Sequence, residues 1–416
     1  MFVREKLSVD DIKREVVESG FIAFKGCKTN RPFEISVDFK ARFIRLGLQA
    51  LESFHLDEIE IYDDTGSNVA LRKLVTVSSM YNDDIRYDGT GAVNGLRKGG
   101  CGFHTKREDS PWLVVDLGAI HQISKVKVFN RDDDYFVRAL SLRIDYSSDL
   151  YCWTLVHDNW KILKGLSDLK LTPREEAIYH ACVFESTLPR QLVKTLKAND
   201  HETAKGVLND VNDAIRDQNL ALATHGFRKT FELIGDEAKE LIYSELSRIL
   251  SWLNDDFGVN AFISSGTLLG VVRDGKLIAH DDDVDICYIS NFSEECDILS
   301  EREKIVDFLK SKGCNLKASG VAHYWCSTPR SLKLDIFTGW IKGGRCFMNP
   351  LSIDGLPVEK ILPLANKCVN DIQLSIPSDP EALLDLNYGL EWRTPDPLWV
   401  FDWAHAKRSY KFLYFK

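Results

Sequence analysis

Apolar and polar residues alternate with a period of two through most of residues 33–158, where FEISVDF, RFIRLGL, LDEIEIYD, SPWLVVDLG, ISKVKVFNR, LSLRIDYSS and YCWTLVHD follow one another. In an extended chain successive side chains point to opposite faces, so this alternation reads as half-buried strands. Gly, Asn and Asp between the runs supply turns. A helical bundle is excluded for this stretch, and an all-β sandwich is predicted.

The alternation stops at Thr172. TPREE offers Thr172 as an N-cap, Pro173 in the first turn and Glu175 to close a capping box. Val207, Leu208, Val211 and Ile215 then form one helical stripe, and Ile242, Leu246, Ile249, Leu250 and Leu253 form a second; such stripes are packing faces. Beyond residue 256 the pattern is mixed. VNAFISS reads as a strand, GTLLGVVRDG as a short helix, and HDDDVDICYIS runs into another strand, which is α+β patterning. A chain of 416 residues exceeds one ordinary core, and the predicted division is a β-sandwich over 1–165, a helical connector over 166–230 and an α+β domain over 231–416. No repeat or low-complexity linker separates the parts, so the helical segment is expected to dock on the C-terminal domain.

The formal net charge of −9 argues against a partner in duplex nucleic acid, whose binders present a basic face; any nucleotide bound here is small. The ten cysteines include no CxxC pair, which counts against a zinc site or a disulfide framework, and they are expected as reduced, mostly buried thiols. MFVREKLSVDDIKREVVESG has neither a secretory apolar core nor a transmembrane stretch. A cytoplasmic location is expected.

IAHDDDVDICYI sets Asp281, Asp283 and Asp285 at alternating positions ahead of an apolar strand. Asp283 and Asp285 are predicted to share a face while Val284 and Ile286 turn inward. Adjacent carboxylates repel unless a cation lies between them, and hard oxygen ligands suit Mg2+ or Mn2+. Asp335, in SLKLDIFTGW, would complete a three-carboxylate site if its strand were a neighbour. An isolated acidic run is also at home as a solvated turn. In the preceding SSGTLLGVVRDG, Gly266 and Gly270 allow close backbone approach, Thr267 can meet a phosphate oxygen and Arg273 offers a fork of donors; the same residues also suit a tight strand-to-helix turn with a solvent-facing arginine.

SGTLLGVVRDGKLIAHDDDVDI resembles the signature of the LicD/fukutin-related family, and IPSDPEALLDLNYGLEWRTPDP resembles its closing motif, with Ile376, Pro377, Leu384, Tyr388, Gly389, Trp392 and Pro395 at matching positions. The resemblance implies a DNA polymerase β-like nucleotidyltransferase fold. It assigns Ser265, Gly266 and Thr267 to a loop for donor phosphates, Arg273, Lys276, Tyr388 and Trp392 to the donor's surroundings, and Asp283, Asp285 and Asp335 to the metals. Lys276 stands where many members have glycine, and His280 where tryptophan is frequent. The implied reaction moves a phosphorylated small group, of the choline phosphate or alditol phosphate type, from a CDP-linked donor to a sugar hydroxyl and releases CMP. Asp335, His280 and His323 are candidate bases, while Tyr388 and Trp392 either stack on a base or sugar or pack as a wall.

Within residues 75–155, VTVSSMYND, GGCGFHTKREDSPWLVVDLG, ISKVKVFNRDD and LSLRIDYSSD resemble a discoidin or coagulation-factor C-type domain, a jelly roll that often binds carbohydrate through loops at one end. The resemblance puts His104, Lys106, Arg107 and Arg131 at an anionic sugar, with Trp112 and Asp116 in the core and its turns. Upstream, RFIRLGLQALESFHLDEIEIYDDTGSNVA resembles the closing strands of a related module, which allows a truncated second copy. Such a module fits an enzyme that decorates a polysaccharide or oligosaccharide acceptor of a bacterial capsule or lipopolysaccharide. Two other readings compete. An inactive carbohydrate-binding protein is disfavoured by the intact acids, and a nucleotidyltransferase that makes the activated donor is disfavoured by the LicD-like signatures.

Overall fold

The computed structural model describes residues 7–22, 24, 32–167, 171–184, 186–318, 322–348, 355–401 and 403–414. The chain forms two compact units, one of residues 1–195 with 209–214 and the other of residues 196–208 with 215–416.

The N-terminal unit is β-rich. Its main sheet runs Thr154–Asp158, Arg143–Ser147, Phe33–Gly47, Trp112–Phe129, Glu58–Asp63, with Leu74–Val77 also on the Trp112–Phe129 strand, and every pairing is antiparallel. Two pairs of runs that the alternation reads as separate strands are each one long strand. FEISVDF and RFIRLGL join as Phe33–Gly47, SPWLVVDLG and ISKVKVFNR join as Trp112–Phe129, and the pairing of the two slips between Ser36 and Phe39 and between Ala41 and Phe43. A bulge leaves a residue unpaired and bends the strand. The buried positions accordingly change phase, from Phe33 and Ala41 to Ile44 and Leu46. The upstream run that allowed a second module is hydrogen-bonded into this same sheet. Asp116 is held in the turn by Arg42, at 2.8 and 2.9 Å, and accepts from the Gly118 amide; Trp112 is half-buried rather than in the core.

The capping box forms as the sequence predicts: Thr172 Oγ1 accepts from the Glu175 amide and Glu175 accepts from the Thr172 amide. A cap contributes about 1 kcal/mol, less than burying a side chain such as Ile178, about 2 kcal/mol. The helix it starts, Pro173–Cys182, is gripped from the chain's beginning. Arg174 donates to the Leu7 carbonyl at 2.8 Å, and the Tyr179 hydroxyl bonds Glu15 on helix Val9–Glu18. These contacts tie the helix to the chain's beginning, and residues 166–195, which the sequence reading placed in a 166–230 connector expected to dock on the C-terminal domain, fall in the N-terminal unit.

The C-terminal unit is built on a seven-stranded mixed sheet. Asn260–Ile263, Asp285–Ile289, Lys333–Lys342, Tyr324–Ser327 and Asn315–Lys317 lie in that order, and Arg345–Met348 and Leu356–Pro357 extend it beyond Lys333–Lys342. Asp285–Ile289 pairs in parallel with Lys333–Lys342, a pairing that needs a long crossover; helix Glu295–Ser311 lies within it. The predicted stripe on helix Asp236–Ser251 and its π-helical continuation packs into the core with Phe262, Ile286 and Ile336. Val207, Leu208, Val211 and Ile215 are likewise buried.

Cys287, Cys314, Cys326 and Cys346 are buried, whereas Cys152, Cys296 and Cys368 are exposed, so the expectation of mostly buried thiols holds only in part; none of the nine described cysteines forms a disulfide, and Cys27 lies outside the described residues. Among the described residues no helix is long and apolar enough to cross a membrane.

Candidate active site

The parallel register makes Asp285 and Asp335 direct partners, and paired residues project from the same face of a sheet. Asp283, just ahead of its strand, joins them: Asp283, Asp285 and Asp335 bring carboxylate oxygens within 4.8 Å of one another, and Asp281, Asp282 and Asp283 form a second such group. The sequence reading set Asp281 in the alternating run but assigned neither it nor Asp282 to the metals.

The electrostatics are those of crowded, buried acids. Burial and Asp283 push the Asp281 carboxyl up to about 8, and burial and Asp283 push Asp335 up to about 7. Asp283 is raised chiefly by burial, and Asp285 is raised well above the ordinary range by burial and its three acidic neighbours. Cations stand at the rim. On the hairpin Ala221–Ala223 and Gly226–Arg228, His225 Nδ1 lies 3.6 Å and Arg228 Nε 3.7 Å from Asp282, and its bond to Asp282 raises the His225 pKa. Periodicity gave no signal for either residue.

The loop before the acids is shaped around them. Ser264 donates its amide to the Asp285 carbonyl at 3.0 Å, and Gly266 donates to Asp285 Oδ2 at 3.2 Å. A Cβ at Gly266 would stand 2.6 Å from Asp281 Oδ2, so only glycine fits without displacing that acid. Ser265 has a left-handed backbone, φ 46°, and the buried hydroxyls of Ser264 and Ser265 have no hydrogen-bond partner. These two hydroxyls flank the N-terminus of helix Ser265–Arg273, where amides and the helix dipole favour an anion. Ser264 was missed from sequence because it closes a strand.

The remaining donor-side residues are placed differently from expectation. Thr267 is buried, and its Oγ1 accepts from the Asp285 amide at 2.8 Å, tying helix to strand instead of facing a phosphate. Arg273 lies at the other end of its helix, about 12 Å along the axis from Ser265 at 1.5 Å per residue. Its fork is engaged by Asp274, at 2.8 and 3.0 Å, and by the Trp392 carbonyl at 3.2 Å. Lys276 is exposed in the turn beyond it. Gly270 does allow close backbone approach: a Cβ there would meet the Lys276 carbonyl at 2.5 Å. Trp392 is packed in the core, with Nε1 donating to Asp385 at 2.7 Å, the wall arrangement. Tyr388 lies in the field of the acids, which together with burial raises its hydroxyl pKa, and its ring is 4.4 Å from that of Trp399.

Of the two histidines considered as bases, His280 has its pKa lowered by burial and by Arg273. His323 is the one that reaches the site. Its Nε2 lies 3.1 Å from Asp335 Oδ2, its ring packs on Phe337 at 4.9 Å, and Nδ1 is buried with no partner. Burial holds its pKa down to about 4.

In the N-terminal unit, His104 pairs directly with His55 across a short ribbon. The His55 side chain is fully buried, with both ring nitrogens unpartnered, and burial together with Arg131 and His104 lowers its pKa to about 3. Tyr81 and Tyr87 pack on the His104 ring at 4.8 and 5.8 Å. Lys106 pairs with Asp83 at 2.5 Å, Arg131 pairs with Asp133 and lies over Tyr135, and Arg107 is exposed. His104 and Arg131 thus share one neighbourhood with His55, which alternation alone had marked only as a strand residue.

A carboxylate cluster beside a helix N-terminus is carried on one unit, and a β-rich unit with a basic and aromatic loop end precedes it in the chain, which defines a two-domain protein. Residues 258–379 match the family of the LicD/FKTN/FKRP nucleotidyltransferase domain, and residues 91–175 match the NedA-like galactose-binding domain of the F5/F8 type C class. The chain therefore carries a discoidin-like galactose-binding domain followed by a LicD-family domain. Asp283, Asp285 and Asp335 fall inside the LicD match, and Tyr388 and Trp392 lie beyond its end. No curated protein matches the chain.

Proposed function

We propose that the C-terminal domain transfers a phosphorylated small group, of the choline phosphate or alditol phosphate type, from a CDP-linked donor to a sugar hydroxyl, with release of CMP. The observation that carries this reading is the convergence of Asp283, Asp285 and Asp335, with oxygens within 4.8 Å of one another. Buried acids so close repel, and a bound cation relieves them; an all-oxygen set fits Mg2+ or Mn2+. The metal, held by these three residues, would supply neutralising charge to the donor diphosphate.

The chain's own residues do the rest. The partner-free hydroxyls of Ser264 and Ser265 hold donor oxygens at the helix N-terminus. Gly266 keeps that surface close to the acids, and Thr267 locks helix to strand. Asp335 accepts the proton of the attacking hydroxyl, with the His323 ring set against it, Nε2 3.1 Å from Oδ2. Arg273 and Lys276, at the far end of the helix, are left out of the first contacts with the diphosphate.

We read the mixed sheet with its acids as a polymerase β-like nucleotidyltransferase fold, and the β-rich unit as a discoidin-like jelly roll. On this reading the N-terminal unit holds a surface glycan, capsule or lipopolysaccharide, by the His55, His104 and Arg131 end, and the protein works on the cytoplasmic side before export. The test is CMP release from CDP-choline and CDP-alditols with Mg2+ and glycan acceptors. Absence of CMP with every donor, or turnover unaffected by chelation, overturns the proposal.

A further inference from the structure

Across the C-terminal sheet the register places four residues in one row. Ser264 lies beside Asp285, Asp285 pairs with Asp335, and Asp335 pairs with Trp325. Directly paired residues share a face, so the indole of Trp325 stands on the same side as the carboxylates, one strand past Asp335. At about 4.8 Å per strand, Ser264 and Trp325 are about 14 Å apart with the acids between them. The anion-binding loop is at one end of the row and an aromatic ring at the other.

Trp325 does not stand alone. His323, whose Nε2 lies 3.1 Å from Asp335 Oδ2, has its ring 5.8 Å from Trp325 and 6.4 Å from Trp403. Trp403 continues to Phe401 at 5.0 Å, Phe401 to Trp399 at 6.0 Å, and Trp399 to Tyr388 at 4.4 Å, where the chain of rings returns to the acids. The arc thus starts and ends at the carboxylates. Trp340 and Trp392 of this unit are buried, yet Trp325, Trp399 and Trp403 are 44%, 37% and 37% exposed.

We propose that this arc is the acceptor subsite, on which pyranose rings of the glycan stack with a hydroxyl directed at Asp335. The inference rests on the transferase reading above and adds to it the place and chemistry of acceptor binding. A pyranose has a flat C–H face that covers an indole and hydroxyls at its edge that meet carboxylates, so one ring satisfies both surfaces. A compact cation is a poorer match, because recognition of quaternary ammonium uses a cage of several faces, and here neighbouring rings pack edge to tilted face against one another into a wall. The donor's base is a poorer match for Trp325, because the donor's phosphates are assigned to the opposite end of the row.

The test uses the full chain and the variants Trp325→Ala, Trp403→Ala and Trp325→Phe. Calorimetric titration with short oligosaccharides of neutral hexoses, N-acetylhexosamines and uronates is run without donor, and acceptor and donor KM are measured with CDP-choline and CDP-alditols. The N-terminal domain is common to all four proteins, so differences belong to the arc. Each alanine variant is expected to bind the best oligosaccharide about tenfold more weakly and to raise acceptor KM in step, with donor KM unmoved; Trp325→Phe, which keeps a ring, recovers most of the loss. Equal oligosaccharide binding by wild type and folded alanine variants overturns the subsite even if CMP is released normally. Loss of donor binding with glycan binding retained overturns it in favour of the donor's base or ammonium group. If no CDP-linked donor is consumed but the binding loss appears, the subsite stands and the donor assignment falls.

Discussion

Asp285 and Asp335 are Cα partners on adjacent parallel strands, and their carboxylates, with that of Asp283, approach within 4.8 Å. A protein that held such acids apart from any cation would carry an uncompensated repulsion in its interior. The pairing makes sense as a seat for a divalent ion.

Asp283→Asn and Asp285→Asn are expected to lower turnover by about a thousandfold, the scale of losing a main electrostatic element of a site, while the metal-free variants melt no lower than wild type, since each removes a buried repelling charge. CMP release and differential scanning calorimetry measure the two effects. Full activity in either variant would falsify the metal assignment.

Metal binding should tighten as pH rises. The carboxyls of Asp281 and Asp335 are raised to about 8 and about 7, so in the metal-free protein they hold protons that the unfolded chain releases near 4. The folded state then binds more protons, and this cluster's stability contribution is present at low pH and is lost as pH climbs through 7 to 8. A divalent ion replaces those protons. The rise in Tm on adding Mn2+ is therefore expected to be larger at pH 8.5 than at pH 6, values spanning these carboxyls. An equal or smaller rise at the higher pH would count against metal ligation by these acids.

Gly266→Ala places a methyl 2.6 Å from Asp281 Oδ2, closer than any real contact. Either the acid or the loop must move, and turnover is expected to fall at least about tenfold with little change in Tm, because misplacement of this order costs up to about a hundredfold. Wild-type turnover in a folded Gly266→Ala protein would show that this close approach has no part in catalysis.

His323→Ala removes the ring whose Nε2 lies 3.1 Å from Asp335 Oδ2. Loss of a group that orients a ligating acid typically costs about tenfold to a hundredfold. The expected signature is a lower kcat, unchanged donor KM and a shifted pH–rate profile; a change in stability alone would reduce His323 to packing.

His104→Ala combined with Arg131→Ala is expected to weaken use of polymeric acceptors while sparing short ones, because a linked binding module raises local acceptor concentration without altering the chemistry. Parallel loss on both acceptor sizes, measured as kcat/KM, would remove the N-terminal domain from acceptor capture.

Much of this molecule is legible in one dimension. The period of two over residues 33–158, the capping box at Thr172 and the stripe on Asp236–Ser251 each depend on the geometry of a single element. Tertiary structure alone decided the rest. It set Asp335 opposite Asp285, brought His323 and Trp325 alongside, turned Thr267 toward the Asp285 amide and engaged Arg273 with Asp274 and Trp392. The same packing merged the paired runs of the N-terminal sheet into two long bulged strands. Periodicity states which side chains share a face of one strand or helix, but the register between distant strands is chosen by how their buried faces interlock, and that choice is made only when the whole core closes.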